Sequence, residues 1–176
     1  DHVKTIMAAL IPLLEEVGAV WWADCGTLLG AVRNPQTTWA DYPWLRQEGR
    51  DTDGPAAGII PHDKDADIGV LFQRWPKVRK VRPRMIKAGF NVKTNPLGPS
   101  MKFRLSARNH TNVDAFFWHQ HRDTGLLYRQ KYASVDKCKG REFHRDMLFP
   151  LTTVEWEGMT LPAPNDAGRF VAAAAL

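Results

Sequence analysis

The N-terminal segment places apolar residues three or four positions apart, as an amphipathic helix does. These apolar positions are Val3, Ile6, Met7, Leu10, Leu14 and Val17. Side chains at this spacing share one face of a helix. The pattern therefore predicts a helix that packs one face on a core and ends at Gly18.

After this helix the pattern becomes that of a strand, a turn and a second helix. Residues 19–23 are all apolar and predict a buried strand. The segment Asp24-Cys25-Gly26-Thr27 follows, and its glycine is typical of a tight turn. We expect the second helix to begin at Leu28 and to run to Arg33.

Residues 34–58 lack a regular pattern. The segment contains three prolines, three glycines and charges of both signs. This composition is typical of a long surface loop. We predict that it is a surface insertion within a single domain that spans residues 1–176.

The rest of the chain mixes strands with helices. Strand character returns at residues 59–72, and a helix is predicted at residues 76–88. Further predicted elements are short strands at residues 90–93, 102–107 and 113–118, a hairpin at residues 153–161 around Glu157-Gly158, and a last helix capped by Asn165. The predicted fold class is α+β (mixed α/β), with a mixed sheet flanked by helices.

Composition supports one folded domain. The 176 residues are 44% hydrophobic and 24% charged, with a net charge of +5 and seven tryptophans. A chain of this size buries roughly 70% of its unfolded surface, which is sufficient for a core. No apolar run approaches the roughly 20 residues that a membrane helix needs. We therefore expect a folded domain rather than a disordered chain, and no helix that spans a membrane.

The cysteines and the chain ends carry little information. Cys25 and Cys138 lie far apart, which fits neither a disulfide scaffold nor a zinc ribbon. One disulfide and two free thiols both stay open, and Cys25 is expected to be a small core residue. Because the chain begins at Asp1 and ends in a run of alanines, we interpret it as an excised domain.

The most informative segment is Asp63-Lys64-Asp65-Ala66-Asp67. In an extended strand, residues two apart project to the same face, so Asp65 and Asp67 place two carboxylates side by side. A solvated edge strand or an acidic turn is the alternative interpretation. Because an apolar strand continues over residues 68–72, the segment is expected to enter the core. There, like charges repel strongly unless a divalent cation compensates them.

A third carboxylate, Asp114, lies inside the apolar pattern of residues 112–118. Alone, such an aspartate is usually a hydrogen-bonded structural residue. With the aspartate pair and the Gly26-Thr27 turn, it completes the set that phosphoryl or nucleotidyl transfer requires, because turn amides can hold phosphate and three carboxylates can hold one or two Mg²⁺ ions. The predicted catalytic and metal-binding residues are Asp65, Asp67 and Asp114, with Mg²⁺ or Mn²⁺ as the cofactor.

Two sequence blocks resemble the signature of the LicD family, which includes the fukutin-related proteins. They are residues 22–33, Trp-Ala-Asp-Cys-Gly-Thr-Leu-Leu-Gly-Ala-Val-Arg, and residues 60–69, Ile-Pro-His-Asp-Lys-Asp-Ala-Asp-Ile-Gly. Later blocks, from Val113-Asp114 to Arg169-Phe170, extend the similarity over about residues 5 to 172. The closing part resembles the fukutin-related branch most.

The resemblance implies a nucleotidyltransferase-like fold and a metal-dependent phosphotransferase. Such an enzyme moves a phosphorylated small alcohol, of the phosphocholine or ribitol phosphate type, from a CDP-linked donor to a hydroxyl of a glycan or glycoprotein and releases CMP. By position, Asp65 and Asp67 match the family's metal-binding pair, Asp114 its third carboxylate, and Gly26-Thr27 its Gly-Ser/Thr turn. The compartment stays open, with the Golgi or secretory lumen expected in a eukaryote and the cytoplasm in a bacterium.

Basic residues are segregated along the chain. Between Arg74 and Arg104 there are ten Lys and Arg and no Asp or Glu. Residues 74–87 are interpreted as a solvated helix face, whereas Lys102 and Arg104 share one face of a predicted strand and are expected to bind the donor diphosphate. No recognised RNA or DNA module accompanies the basic residues, so we expect no nucleic-acid partner.

Two other functions stay open. One is nucleotidyl transfer to a small molecule, with attack at the phosphorus nearest the nucleoside. The other is a non-catalytic relative that binds a glycan or a nucleotide. The intact carboxylates argue against the second, because a protein without catalysis does not need them.

Overall fold

The fold is taken from a computed structural model, which describes residues 2–34, 58, 60, 63, 65–94, 100–108, 111–129 and 142–174. The helices are α1 (His2–Glu16), α2 (Cys25–Arg33), α3 (Trp75–Val78), α4 (Val81–Lys87), α5 (Arg145–Leu148) and α6 (Ala167–Ala174). The strands are β1 (Trp21–Ala23), β2 (Ala66–Leu71), β3 (Asn91–Thr94), β4 (Ser100–Arg104), β5 (Asn112–Gln120), β6 (Leu127–Arg129), β7 (Glu142–Phe143), β8 (Thr152–Trp156) and β9 (Met159–Ala163). Cys138 lies outside the described residues.

The central sheet is mixed, as the sequence predicts. Its strands follow the order β1-β2-β5-β4-β3. The β2–β5 pair is parallel, and the other neighbouring pairs in this order are antiparallel. Strand β6 pairs with the end of β5 and with β7, while β8 and β9 form a separate hairpin.

Helix α1 confirms the helical pattern of the N-terminal segment. Five of its six predicted apolar positions are fully buried, and they are Val3, Ile6, Met7, Leu10 and Leu14. The chain leaves the helix through Gly18, whose φ of +63° lies in the left-handed region that glycine adopts without a steric penalty.

The strand predicted over residues 59–72 is shorter in the structure. The Asp63 N–H donates to the Ile60 carbonyl at 2.9 Å, which is the hydrogen bond of a turn. Strand β2 therefore begins only at Ala66, and it ends at Leu71, where a 3₁₀ turn over Phe72–Arg74 follows. The predicted strand was too long at both ends.

The single helix predicted over residues 76–88 is wrong, because two short helices, α3 and α4, occupy that segment. A continuous helix would need the backbone nitrogen of Pro83 to donate to the Arg79 carbonyl. Proline has no N–H and cannot do so. Pro83 is instead accommodated in the first turn of α4.

Of the two predictions for the C-terminal segment, the hairpin is confirmed and the helix cap is wrong. The hairpin is confirmed, and Glu157 and Gly158 form its turn with φ of +49° and +76°. Asn165 does not cap the last helix, because its side chain donates to the Asp146 carbonyl instead. The cap is Asp166, whose Oδ1 accepts the Arg169 N–H at 3.0 Å.

Helices cover both faces of the sheet. On β5, alternate residues point to opposite faces. Phe117 points toward α3, where its ring lies 4.6 Å from that of Trp75. Trp118 points the other way, toward α6, and its ring lies 5.4 Å from that of Phe170. Asp114 shares the Trp118 face but lies near the start of the strand.

One further backbone hydrogen bond joins two residues that are far apart in the sequence. The Gly58 N–H donates to the Asn34 carbonyl at 2.9 Å. These residues are the two ends of the predicted insertion, and the residues between them lie outside the described structure. The insertion itself therefore stays a prediction.

Candidate active site

Strand pairing brings the three predicted carboxylates together. In the parallel β2–β5 pair, Asp67 lies directly opposite Asp114. Asp65 lies two residues before Asp67, just ahead of β2. Carboxylate oxygens of the three residues lie within 4.8 Å of one another, and all three side chains are half-buried. We call Asp65, Asp67 and Asp114 the acidic cluster.

The acidic cluster has the chemistry of a divalent cation site. Three carboxylates supply the hard oxygen ligands that Mg²⁺ and Mn²⁺ prefer. Burial, with the nearby charge of Asp65, raises the pKa of Asp67 to about 8. Burial also raises the pKa of Asp114. Both shifts arise chiefly from burial, which disfavours a charged carboxylate, and a cation held between the carboxylates would offset that cost.

The first turn of α2 positions Asp67. The Gly26 N–H donates to Asp67 Oδ2 at 3.1 Å, and the Asp67 N–H donates to Thr27 Oγ1 at 2.8 Å. A Cβ on residue 26 would clash with the Asp63 carboxylate, so a larger residue there would require the Asp63 side chain to move. The expectation that α2 begins at Leu28 is wrong. The helix begins at Cys25, and Gly26-Thr27 belongs to its first turn.

Asp24 anchors the start of α2 to the sheet. Its Oδ1 accepts the Cys25 N–H at 2.9 Å, and its Oδ2 accepts the indole N–H of Trp118 at 2.8 Å. Burial raises the pKa of Asp24, which is only 1% exposed, and the charge of Arg129 opposes this shift. This carboxylate fixes where the first turn of α2 meets β5.

Lys102 and Arg104 lie on the strand next to the acidic cluster. In the antiparallel β4–β5 pair, Lys102 is directly opposite Asp114, and its Nζ lies 2.9 Å from Asp114 Oδ2. Arg104 lies two residues further along the same face, and its positive charge, like that of Lys102, opposes the rise that burial causes in the pKa of Asp114. Both cations are thus placed beside the carboxylates. Their role toward a donor stays a prediction.

Sequence reasoning missed Asn112, a buried residue that contacts two of the carboxylates. Its Nδ2 donates to Asp65 Oδ2 at 3.0 Å and to Asp114 Oδ2 at 3.2 Å. Its Oδ1 accepts from Lys102 Nζ at 3.4 Å. The spacing of Asn112 two residues before Asp114 was the available signal, because such residues share a strand face.

Sequence reasoning also missed Arg129, which reaches the start of α2 from β6. Its guanidinium donates to Cys25 Sγ and lies 4.8 Å from the ring centre of Phe116. Burial and the charge of Asp24 raise the pKa of the Cys25 thiol. The thiol therefore stays protonated, which agrees with a structural rather than a nucleophilic role.

Comparison with known proteins identifies the family. A family model described as "LicD/FKTN/FKRP, nucleotidyltransferase domain" matches residues 56–166, which is more than half of the chain and includes the acidic cluster. The chain belongs to the LicD family.

Proteins similar to this LicD chain include named transferases. The mouse and human proteins named ribitol 5-phosphate transferase FKRP are each 24% identical over 167 residues, which cover 92% of this chain and 28% of theirs. An uncharacterized protein of Rickettsia typhi is 24% identical over 156 residues, which cover 88% of this chain and 39% of that protein. The chain thus spans less than half the length of these relatives.

A solved structure confirms the nucleotidyltransferase-like fold of this LicD domain. The lincosamide antibiotic adenylyltransferase LnuA, bound to lincomycin, aligns with a TM-score of 0.54 over 97% of this chain and 86% of that one. The sequences are 13% identical, so the likeness concerns the fold alone. Within the described ranges, no helix combines the length and apolar character needed to cross a membrane.

Proposed function

We propose that this LicD domain is a transferase of phosphorus-containing groups that uses a CDP-linked small alcohol as donor. It moves a phospho-alcohol of the ribitol phosphate or phosphocholine type to a hydroxyl of a glycan or glycoprotein, and CMP leaves. The observation that carries the proposal is the convergence of Asp65, Asp67 and Asp114 at one place on the sheet. The names of the FKRP relatives support the class of group that is transferred.

The acidic cluster would hold Mg²⁺ or Mn²⁺. When bound, such a cation supplies positive charge that neutralises the diphosphate and the charge that develops on the leaving oxygen. The protein contributes positioning: the Gly26 N–H fixes one carboxylate, and strand pairing fixes the spacing of Asp67 and Asp114. Such fixed geometry lets a hydroxyl and a phosphorus atom meet in line.

Lys102 and Arg104 would bind the donor diphosphate. Both extend from β4 on the face of the acidic cluster, and ammonium and guanidinium groups form charge-assisted hydrogen bonds with phosphate oxygens. The first turn of α2, with Gly26 and Thr27, is the third proposed contact for phosphate. In the reaction, the acceptor oxygen forms a bond to the distal phosphorus while the bond from that phosphorus to the CMP oxygen breaks. The hydroxyl gives its proton to a carboxylate of the acidic cluster.

The test is to incubate the purified protein with Mn²⁺ or Mg²⁺, CDP-ribitol or CDP-choline, and a glycan acceptor. We expect CMP to form only when donor and acceptor are both present, in amounts equal to those of phospho-alcohol on the glycan by mass spectrometry. The Asp67→Asn variant, prepared in parallel, controls for contaminating hydrolases.

Other products would point to the alternatives. Transfer of the CMP moiety to the acceptor, with release of the phospho-alcohol, would establish nucleotidyl transfer in place of our proposal. Donor binding without any product, across CDP-alcohols and acceptors, would favour a protein that binds but does not catalyse.

A further inference from the structure

We propose that Asn112 is a positioning residue that keeps Asp65 and Asp114 at the spacing a divalent cation requires. The inference rests on the metal site of the proposed function. It assigns to a neutral side chain a role that the carboxylates cannot perform for themselves, because two negative charges at close range repel.

The contacts of the Asn112 amide are directed at the acidic cluster. Its two N–H groups point at two different carboxylates, with Nδ2 at 3.0 Å from Asp65 Oδ2 and 3.2 Å from Asp114 Oδ2. Its oxygen faces Lys102 Nζ at 3.4 Å. In the described part of the chain, every side-chain hydrogen bond recorded for Asn112 therefore goes to a residue of the candidate active site.

Burial makes this orientation rigid. Asn112 is 3% exposed and lies at the start of β5, opposite Arg104 of β4. A buried amide with both ends engaged has no room to rotate without leaving polar groups unpaired. The two carboxylates it contacts come from different parts of the chain, because Asp65 directly precedes β2 and Asp114 lies in β5. The amide therefore connects these two segments.

Removing the amide should weaken cation binding more than folding. Without the two donors, Asp65 and Asp114 relax away from each other, and a cation must bring them back together before it binds. Outer partners of metal ligands typically contribute 10–100-fold to metal affinity. We therefore expect Asn112→Ala to weaken Mn²⁺ binding by about 10–100-fold.

The experiment is calorimetric titration of the purified protein with Mn²⁺ alone, without donor or acceptor. Wild type is compared with Asn112→Ala, Asn112→Ser and Asn91→Ala. Asn91 is the matched control, because it is a half-buried asparagine of the same sheet whose Oδ1 has no hydrogen-bond partner among the described residues. Thermal unfolding in EDTA measures folding separately for each variant.

We expect the Mn²⁺ affinity to fall in the order wild type, Asn112→Ser, Asn112→Ala, because a serine hydroxyl can donate to only one carboxylate. Asn91→Ala should bind as wild type does. If Asn112→Ala does not fold, the intermediate affinity of Asn112→Ser decides the question. Equal affinity in wild type and the folded Asn112 variants would overturn the role of Asn112 alone. Failure of wild type to bind Mn²⁺ would instead overturn the metal site of the proposed function, and this role with it.

Discussion

The acidic cluster and the helical surface behind the sheet both concentrate charge, but the charged groups are half-buried and hydrogen-bonded in the first and exposed to water in the second. Each carboxylate of the cluster is half-buried and accepts a hydrogen bond from a fixed donor: Asn112 for Asp65 and Asp114, and the Gly26 N–H for Asp67. The basic surface consists of Arg74, Lys77, Arg79, Lys80, Arg82, Arg84 and Lys87, all exposed on or beside α3 and α4. Among the described residues, one ion pair forms on that surface, between Arg84 and Glu16.

The difference shows that surroundings, rather than the number of charges, decide what a charged side chain contributes. Water and salt screen the exposed guanidinium and ammonium groups, whose mutual interactions are weak. In the acidic cluster, burial and then the charge of Asp65 raise the pKa of Asp67, because charges away from water are screened less. Substitutions in the two regions should therefore differ in size and in salt dependence.

The largest effect is expected for Asp67→Asn. Loss of one cation ligand removes several kcal/mol of charge stabilisation, so transfer should fall by at least about a thousandfold. Mn²⁺ should raise the melting temperature of wild type and have little effect on the variant. Asp123→Asn, which changes an exposed turn residue, is the matched control. Equal stabilisation of wild type and Asp67→Asn by Mn²⁺ would contradict the metal assignment.

Asp24→Ala should produce the largest loss of stability. It removes the cap of α2 and leaves the Trp118 indole N–H unpaired, two losses that together lower the free energy of unfolding by about 2–4 kcal/mol. Asp166→Ala removes the exposed cap of α6 and should cost only about 1 kcal/mol. Urea denaturation measures both. Similar losses in the two variants would show that burial at Asp24 adds nothing.

Lys102→Ala and Arg104→Ala should weaken CDP-donor affinity by about tenfold or more. A positioned cation gains charge-assisted hydrogen bonds of about 1.5–3 kcal/mol each with phosphate. Arg79→Ala and Lys80→Ala on the basic surface should act weakly and lose their effect in high salt. Titration of wild type and variants with the donor at two salt concentrations separates these cases. Comparable losses in both groups at physiological salt would place phosphate on the basic surface instead.

The smallest effect is expected for Arg84→Ala. The Arg84–Glu16 pair has an N–O distance of 2.7 Å, but its side chains are 44% and 61% exposed. Exposed pairs of this kind contribute little to stability. Urea denaturation of the variant should therefore match that of wild type. A clear loss of stability would show that the basic surface is more tightly organised than its exposure indicates.

The sequence predicts the parts of this fold that depend on local periodicity. Helix α1 follows from the spacing of its apolar residues, and the β8–β9 hairpin follows from Glu157-Gly158 between two alternating segments. Pro83 was a signal for the break between α3 and α4, because it has no backbone N–H to donate, but a proline alone does not decide this, since α1 continues through Pro12. The apolar pattern of residues 76–88 concealed the break.

Contacts between distant segments were not predictable in the same way. The spacing of Asp65 and Asp67 indicates that they share a face, but only the parallel register of β2 and β5 places Asp67 against Asp114. Arg129 belongs to a strand of three residues, which is too short to produce a pattern, and it reaches Cys25 from far along the chain. Tertiary packing alone brings such residues together.

The hydrogen bond between Asn34 and Gly58 holds together the two ends of the predicted insertion. When two ends are held together, the entropy of the chain that joins them varies with the logarithm of its length. Each doubling of that length then costs only about 0.6 kcal/mol. We therefore expect this position to accept segments of very different length, while the first turn of α2 stays in place beside Asp67.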